Sequence, residues 1–116
     1  MKKILVVDDD ENILEMVQLV LEDEGYQVET SPNGACFQQM HGELPNLILL
    51  DILLSGEDGR ELCRLLKSRE QTRHIPVILF SAHFNARNIT AMNGADAFLS
   101  KPFHINELVS LVKRYI

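Results

Sequence analysis

Three short apolar runs constrain the fold of this chain more than any other feature. They are Ile4–Val7, Leu47–Leu50 and Val77–Phe80, and polar residues interrupt none of them. Both faces of such a strand must be covered, which is typical of a parallel sheet between two layers of helices. Weaker strand patterns at Gln27–Thr30 and Ala97–Leu99 bring the expected number of strands to five. The first of these two has a single apolar residue, which favours a position at an edge of the sheet.

Helical segments separate the predicted strands. Apolar residues repeat with a period near 3.6 over residues 13–21, 62–66 and 105–112, and shorter helices are predicted at Gly34–Met40 and Asn85–Asn93. Strand and helix therefore alternate five times. Because crossovers between parallel strands are right-handed, this order predicts an open α/β sheet with helices on both faces. The 116 residues are expected to form one domain over residues 1–116.

Composition and charge exclude several classes of protein. The net charge is −6, which disfavours direct nucleic-acid binding by this segment. No run of eighteen apolar residues is present, so no membrane span is expected. Cys36 and Cys63 lack the spacing of a metal or redox motif. Reduced thiols of this kind favour a cytoplasmic location.

Polar residues stand at the carboxyl ends of the predicted strands. In α/β proteins the functional groups collect at these ends. Aspartates occupy positions 8–10 after the first strand, Asp51 ends the third, Ser81 ends the fourth, and Lys101 follows the fifth. The acids are also unevenly distributed, since residues 1–60 hold thirteen acids and three bases whereas residues 61–116 hold four acids and eight bases. The sequence therefore predicts several carboxylates, a hydroxyl and an ammonium at one edge of the sheet.

Such a cluster of carboxylates favours a bound cation. Two carboxylates about 4 Å apart repel by about 4 kcal/mol at an effective dielectric constant of about 20. Hard oxygen ligands without Cys or His point to Mg²⁺ or Mn²⁺. An ionised Asp51 beside the cation and Lys101 is suited to attack phosphorus, and Ser81 is suited to donate a hydrogen bond to a phosphoryl oxygen.

Structural roles remain open for the same residues. Asp10, and to a lesser degree Asp9, is also placed to cap the helix that follows, and Asp51 is placed to serve as a turn residue at a strand end. Lys101 alone is typical of a solvated lysine. Gly25 is expected to end the first helix, and Asp58 to cap the helix around residues 62–66.

Four segments of the chain resemble the receiver domain of two-component response regulators. They are ILVVDDD, LILLDILLSGEDG, PVILFSA and GADAFLSKPF, which lie at intervals along the chain, so that the resemblance extends over essentially its whole length. The resemblance implies a three-layer flavodoxin-like (βα)5 fold with a five-stranded parallel sheet of order 2-1-3-4-5. It also implies a phosphoacceptor that is not an enzyme beyond its own phosphorylation and slow dephosphorylation.

The resemblance assigns a role to each matched position. Asp51 is implied as the phosphorylated aspartate, with Lys101 as the phosphate-binding lysine. The implied ligands of Mg²⁺ are Asp9, Asp51 and the backbone carbonyl of Leu53, with Asp8 assisting through water.

A conformational switch is implied as well. Ser81 matches the switch hydroxyl and Phe98 the switch aromatic, although Phe98 is equally typical of a core residue. The switch would change the surface formed by the fourth helix, the fifth strand and the fifth helix. A homodimer that forms through this surface is one expected result. Residues with charges for that surface, or for plain solvated positions, are Arg87, Asp96, Lys113 and Arg114.

The resemblance also implies partners, and the sequence departs from the usual family pattern at two places. The donor would be a phosphohistidine of a sensor histidine kinase or of a histidine phosphotransfer protein, and the receiver would act on a downstream protein or output domain. Ser55 stands where the family usually has Pro, which predicts a looser loop. Ser81 and Lys101 are twenty positions apart, about two fewer than is typical, which predicts a shortened loop after the fourth strand.

Two other functions compete with phosphoryl acceptance. One is an interaction module of the same fold that does not depend on phosphorylation. The other is a metal-dependent phosphatase, which usually carries a second Asp two residues after the nucleophile, where this chain has Leu53. The sequence does not distinguish a stand-alone receiver from part of a longer regulator.

Overall fold

The computed structural model describes residues 1–40, 42–81 and 94–116. Its regular elements, in chain order, are β1 (Lys3–Val7), α1 (Glu11–Asp23), β2 (Gln27–Ser31), a 3₁₀ helix (Gly34–Gln39), β3 (Leu47–Asp51), α2 (Gly59–Ser68), β4 (Val77–Ser81), β5 (Ala97–Ser100) and α3 (Ile105–Tyr115). Between β3 and α2, Leu53–Leu54 pairs with Glu57–Asp58 in a two-residue antiparallel hairpin. The helix predicted at Asn85–Asn93 and the loop after Ser81 lie outside the described residues.

The five long strands form one parallel sheet of order β2-β1-β3-β4-β5. This confirms the predicted order, including β2 at an edge. The register places Val7 opposite Leu50, Asp51 opposite Phe80 and Ser81 opposite Ser100. The carboxyl ends of β1, β3, β4 and β5 are therefore level to within about a residue, so that residues just beyond them are neighbours.

The sheet separates two hydrophobic cores. Even-numbered β1 residues Ile4 and Val6 pack with α1 and α3, whereas Leu5 and Val7 pack with the 3₁₀ helix and α2. All of β3 and β4 is buried, which explains their unbroken apolar patterns. Each Leu, Ile or Val buried in this way contributes roughly 1.5–3 kcal/mol. None of the helices in the described ranges has both the length and the apolar character needed to span a bilayer.

Local signals in the sequence set the ends of α1 and α2. The Asp10 carboxylate accepts a hydrogen bond from the backbone N–H of Asn12 at 2.9 Å, and the Asp58 carboxylate accepts one from Arg60 N–H at 2.9 Å. Both are helix N-caps, which supply acceptors to otherwise unpaired donors. Gly25 follows α1 with a φ of +96°, the left-handed conformation that ends a helix. The caps predicted at Asp58 and Gly25 are confirmed, and the open choice for Asp10 is resolved as capping.

Gly59 brings the start of α2 into direct contact with the end of β3. Its N–H donates to the carbonyl oxygen of Ile52 at 2.8 Å. A Cβ at position 59 would lie 2.0 Å from the carbonyl oxygen of Asp51 and 2.8 Å from Cα of Ile52. Since both neighbours are backbone atoms, only glycine permits this approach, and the approach holds the backbone of Asp51 in place.

We expect Gly59→Ala to destabilise the fold by about 3 kcal/mol, because the added methyl group must displace the backbone at Asp51. Urea denaturation of the variant and of Arg64→Ala measures the effect. Arg64 is an exposed residue of α2 whose ion pair with Glu61 lies at the surface, where such pairs contribute little. Equal stability of Gly59→Ala and the parent chain would contradict the close contact.

Candidate functional site

Three carboxylates meet at the carboxyl edge of the sheet. Asp8, Asp9 and Asp51 each offer an oxygen atom, and these oxygens lie within 4.8 Å of one another. Asp8 follows β1 and is fully buried, Asp51 ends β3 and is 5% exposed, and Asp9 is exposed. We call these three residues the acidic site. They are three of the acids that the strand ends predicted to converge.

Lys101 supplies the positive charge beside the acidic site. Its Nζ lies 2.8 Å from Oδ2 of Asp8 and 3.4 Å from Oδ2 of Asp51, and it stands 4.9 Å from the centre of the Phe80 ring. The Lys101 backbone N–H donates to the carbonyl oxygen of Ser81 at 3.0 Å, which continues the pairing of β4 and β5. One ammonium cannot neutralise three carboxylates, so the acidic site retains net negative charge.

Asp8 is held on several sides. Its Oδ1 accepts the backbone N–H of Asp10 at 2.9 Å, while its Oδ2 faces Lys101. The Asp8 backbone N–H donates to the carbonyl oxygen of Ser31 on β2 at 3.1 Å. These donors leave neither oxygen of the buried Asp8 carboxylate without a hydrogen-bond partner.

The carboxylate of Asp51 has weaker contacts with donors and with Lys101 than the carboxylate of Asp8 has. Burial is the main cause that raises the pKa of Asp51 to about 6, and the charge of Asp8 adds to the effect. Lys101 opposes both, and the N–H of Leu53 donates to Asp51 Oδ1 at a long 3.4 Å. Asp51 is therefore mostly ionised at neutral pH yet poorly solvated, which is the state of a carboxylate suited to react with or bind an electrophile.

Asp9 is tied to the loop that follows β3. Its Oδ2 accepts hydrogen bonds from the backbone N–H of Ser55 at 3.0 Å and from Ser55 Oγ at 2.8 Å. A looser loop was predicted from Ser55 because it replaces Pro. The structure shows instead two contacts that Pro, without an N–H or a hydroxyl, is unable to make.

The other predicted site residues lie on the last two strands of the sheet and in the hairpin after β3. Ser81 is buried at the end of β4, level with Ser100 of β5. Phe98 of β5 is half-buried and packs against the core beneath α2. Leu53 is 49% exposed and pairs with Asp58 in the short hairpin. Their roles as switch residues and as a carbonyl ligand stay predictions.

Two of the charged residues considered for the switch surface, Asp96 and Lys113, have partners within the fold. The Asp96 carboxylate lies 2.7 Å from Lys67 Nζ of α2 and accepts the N–H of Val77 at 2.9 Å. Lys113 Nζ lies 2.8 Å from a carboxylate oxygen of Glu24, which follows α1. Arg87 lies outside the described residues.

The acidic site fits a hard divalent cation. All three side chains offer carboxylate oxygens, and no His or Cys belongs to the cluster that the described residues form. This donor set suits Mg²⁺ or Mn²⁺ and does not suit Zn²⁺, which takes nitrogen and sulfur ligands. A cation would relieve the mutual repulsion of the carboxylates, which Lys101 relieves only in part.

The comparisons with known proteins all point to one family. The response regulator receiver domain model matches residues 4–113. The phosphate regulon transcriptional regulatory protein PhoB of Klebsiella pneumoniae is 39% identical over 115 residues, which are 97% of this chain and 50% of that protein. The chain thus spans about half the length of this relative.

Solved structures agree with the sequence match. A putative response regulator from Chloroflexus aurantiacus has a TM-score of 0.90 at 34% identity, with 98% of this chain and 96% of that chain covered. The response regulator TrrA of Thermotoga maritima, in complex with Mg²⁺ and BeF, has a TM-score of 0.87 at 32% identity over 100% of both chains. The chain therefore belongs to the receiver domains of two-component response regulators, whose role is to accept a phosphoryl group.

Proposed function

We propose that residues 1–116 form one receiver domain in which Asp51 accepts the phosphoryl group, with Mg²⁺ held by Asp9, Asp51 and the Leu53 carbonyl and assisted by Asp8. The observation that carries this proposal is the position of Asp51, buried beside two further carboxylates and 3.4 Å from the Lys101 ammonium. The donor is a phosphohistidine of a sensor histidine kinase or a histidine phosphotransfer protein.

The transfer needs no general base. A carboxylate oxygen of ionised Asp51 forms a bond to phosphorus as the bond from phosphorus to the donor imidazole nitrogen breaks. The electron pair of that bond goes to the imidazole, which takes a proton from solvent. Asp51 becomes an aspartyl phosphate, and water later hydrolyses it slowly. The chain is thus a phosphoacceptor that promotes only its own phosphorylation and slow dephosphorylation.

Charge near Asp51 favours the transfer. Lys101 already lies between Asp8 and Asp51, so its ammonium is placed to face oxygens of an incoming phosphoryl group. When bound, Mg²⁺ supplies positive charge to the same oxygens. Since Asp51 is at the end of a buried strand and its backbone is held against Gly59, little reorganisation is needed to present it.

The response would pass from Ser81 to Phe98. Ser81 ends β4, next to the pair formed by Asp51 and Phe80, and its hydroxyl would donate to a phosphoryl oxygen. Movement of Ser81 would leave room for half-buried Phe98 to turn inward on β5, where its backbone pairs with Leu79. This changes the surface of β5 and α3 and of the helix predicted before them, which would bind an output domain, a downstream protein or a second copy.

A phosphorylation-independent interaction module of the same fold is not favoured. Such a module has no need for buried carboxylates and a lysine drawn together from three strand ends. The cluster costs stability through repulsion, so its presence supports phosphoryl acceptance.

We expect a small acyl phosphate with Mg²⁺ to add one phosphate to the parent chain and none to Asp51→Asn, because the amide is not a nucleophile. Intact-mass spectrometry measures the addition. Asp58→Asn is the matched control. Asp58 caps α2 and is not the acceptor, so this substitution is expected to leave labelling unchanged. Labelling that persists in Asp51→Asn would remove Asp51 as the acceptor.

Asp9→Ala should weaken Mg²⁺ binding at least about tenfold, since it removes one anionic ligand. Asp10→Ala is the control at the neighbouring position. Asp10 caps α1, so its loss should cost about 1 kcal/mol of stability and leave Mg²⁺ affinity close to that of the parent chain. Calorimetric titration with Mg²⁺ separates the two. Unchanged affinity in Asp9→Ala would exclude that carboxylate as a ligand.

The raised pKa of Asp51 has a consequence for metal-free stability. The pKa of Asp51 is about 6 in the folded chain, against 3.8 for a free side chain, so the folded chain binds this proton more tightly than the unfolded chain does. Between about pH 4 and pH 6 the unfolded chain loses the proton first, and the free energy of unfolding therefore falls as the pH rises. We expect Asp51→Asn to be more stable than the parent chain by about 2 kcal/mol at pH 7.5 with chelator.

This gain should shrink toward zero at pH 4, where the parent Asp51 is also neutral. Paired urea denaturation curves at both pH values measure it. A parent chain that is the more stable of the two at pH 7.5 would show that Lys101 outweighs burial and the Asp8 charge.

A further inference from the structure

Ser55 makes a contact with the acidic site that the established role of the family does not assign. Its backbone N–H and its hydroxyl both donate to Oδ2 of Asp9, at 3.0 and 2.8 Å. The two residues are 46 positions apart, so the contact bridges the start of α1 and the loop after β3. An ionised carboxylate has about four acceptor sites, and Ser55 takes two of them on a single oxygen.

The loop that carries Ser55 is itself anchored. Leu53–Leu54 and Glu57–Asp58 pair on either side of it, and Gly56 has a φ of +74°, which allows the tight reversal. A carboxylate oxygen of Glu57 accepts the N–H of Gly34 at 2.8 Å, which joins the hairpin to the 3₁₀ helix. Asp58 caps α2 on the other side. Ser55 is therefore presented from a braced hairpin.

Asp9 needs such an anchor more than its neighbours do. Asp8 and Asp51 are buried, so their surroundings restrict their side chains, whereas Asp9 is exposed. An exposed carboxylate is free to rotate toward solvent, and ordering it as a ligand costs conformational entropy. Two hydrogen bonds to one oxygen remove most of that freedom before a cation binds, and donors of this kind raise the affinity of a metal site.

We propose that Ser55 is a positioning residue for Asp9, which orients this carboxylate toward the cation of the acidic site and takes the place of the proline usual in the family. The inference rests on the proposed function in that it takes Asp9 as a cation ligand. Both donors of Ser55 contribute, the N–H through the backbone and the hydroxyl through the side chain. Ser55 touches no reacting atom, so it sets the Mg²⁺ concentration that the site requires and not the rate of transfer once the site is filled.

A graded series of substitutions separates the two donors. Ser55→Ala removes the hydroxyl and keeps the N–H, Ser55→Pro removes both, and Ser55→Thr keeps both. Calorimetric titration of the 116-residue chain with Mg²⁺ alone should give affinity weakened about tenfold for Ser55→Ala, by a larger factor for Ser55→Pro, and close to the parent value for Ser55→Thr. Ser68→Ala is the matched control, since the hydroxyl of Ser68 donates to Leu65 within α2.

The Mg²⁺ dependence of labelling by an acyl phosphate gives the second readout. We expect the half-saturating Mg²⁺ concentration to rise in Ser55→Ala while the maximal rate stays near that of the parent chain. Parent-like Mg²⁺ affinity in Ser55→Ala, or a lowered maximal rate at unchanged half-saturation, would overturn the role of Ser55 and leave the proposed function intact. Failure of the parent chain to bind Mg²⁺ at all would remove both.

Discussion

Electrostatic repulsion within the acidic site is the constraint on which the rest of the structure depends. Asp8, Asp9 and Asp51 have oxygens within 4.8 Å of one another, and Lys101 is the base that contacts two of them. The fold keeps this arrangement because Asp8 directly follows the buried residues Ile4–Val7 of β1, and Asp51 ends the fully buried strand β3. Separation of the charges would require those strands to move apart, at the expense of both hydrophobic cores. A cation bound at the acidic site would relieve this repulsion and would in that way couple metal binding to the reactivity of Asp51.

The elements around the site act as a frame for this charge cluster. Gly59 presses the start of α2 against the backbone of Asp51, and Asp10 starts α1 directly after Asp9. The hairpin after β3 closes the third side, where Ser55 holds the one exposed carboxylate of the acidic site. Each contact is made to backbone or to a short side chain, so the site is positioned before a ligand arrives and little reorganisation is left for the transfer.

Much of this architecture could be predicted from the sequence because it follows from patterns with one physical solution. Unbroken apolar runs such as Leu47–Leu50 require burial on both faces, and parallel strands bring their carboxyl ends to one edge. This reasoning placed Asp51 and Lys101 near each other, although they are 50 positions apart in the sequence. The contact between Ser55 and Asp9 could not be predicted in this way, because it depends on the path of a short hairpin with two residues in each strand, which no periodicity describes. The pairing of Asp96 with Lys67 is likewise set by how α2 packs, and not by any local signal.

A crystal of the chain grown with Mn²⁺ and measured at a wavelength where manganese scatters anomalously tests the central claim most directly. The account requires an anomalous peak at the carboxyl edge of the sheet, bound by oxygens of Asp9 and Asp51, with Lys101 retained beside it. A map without a peak at that edge, or one in which the Asp51 carboxylate points away from Asp8 and Asp9, would contradict it.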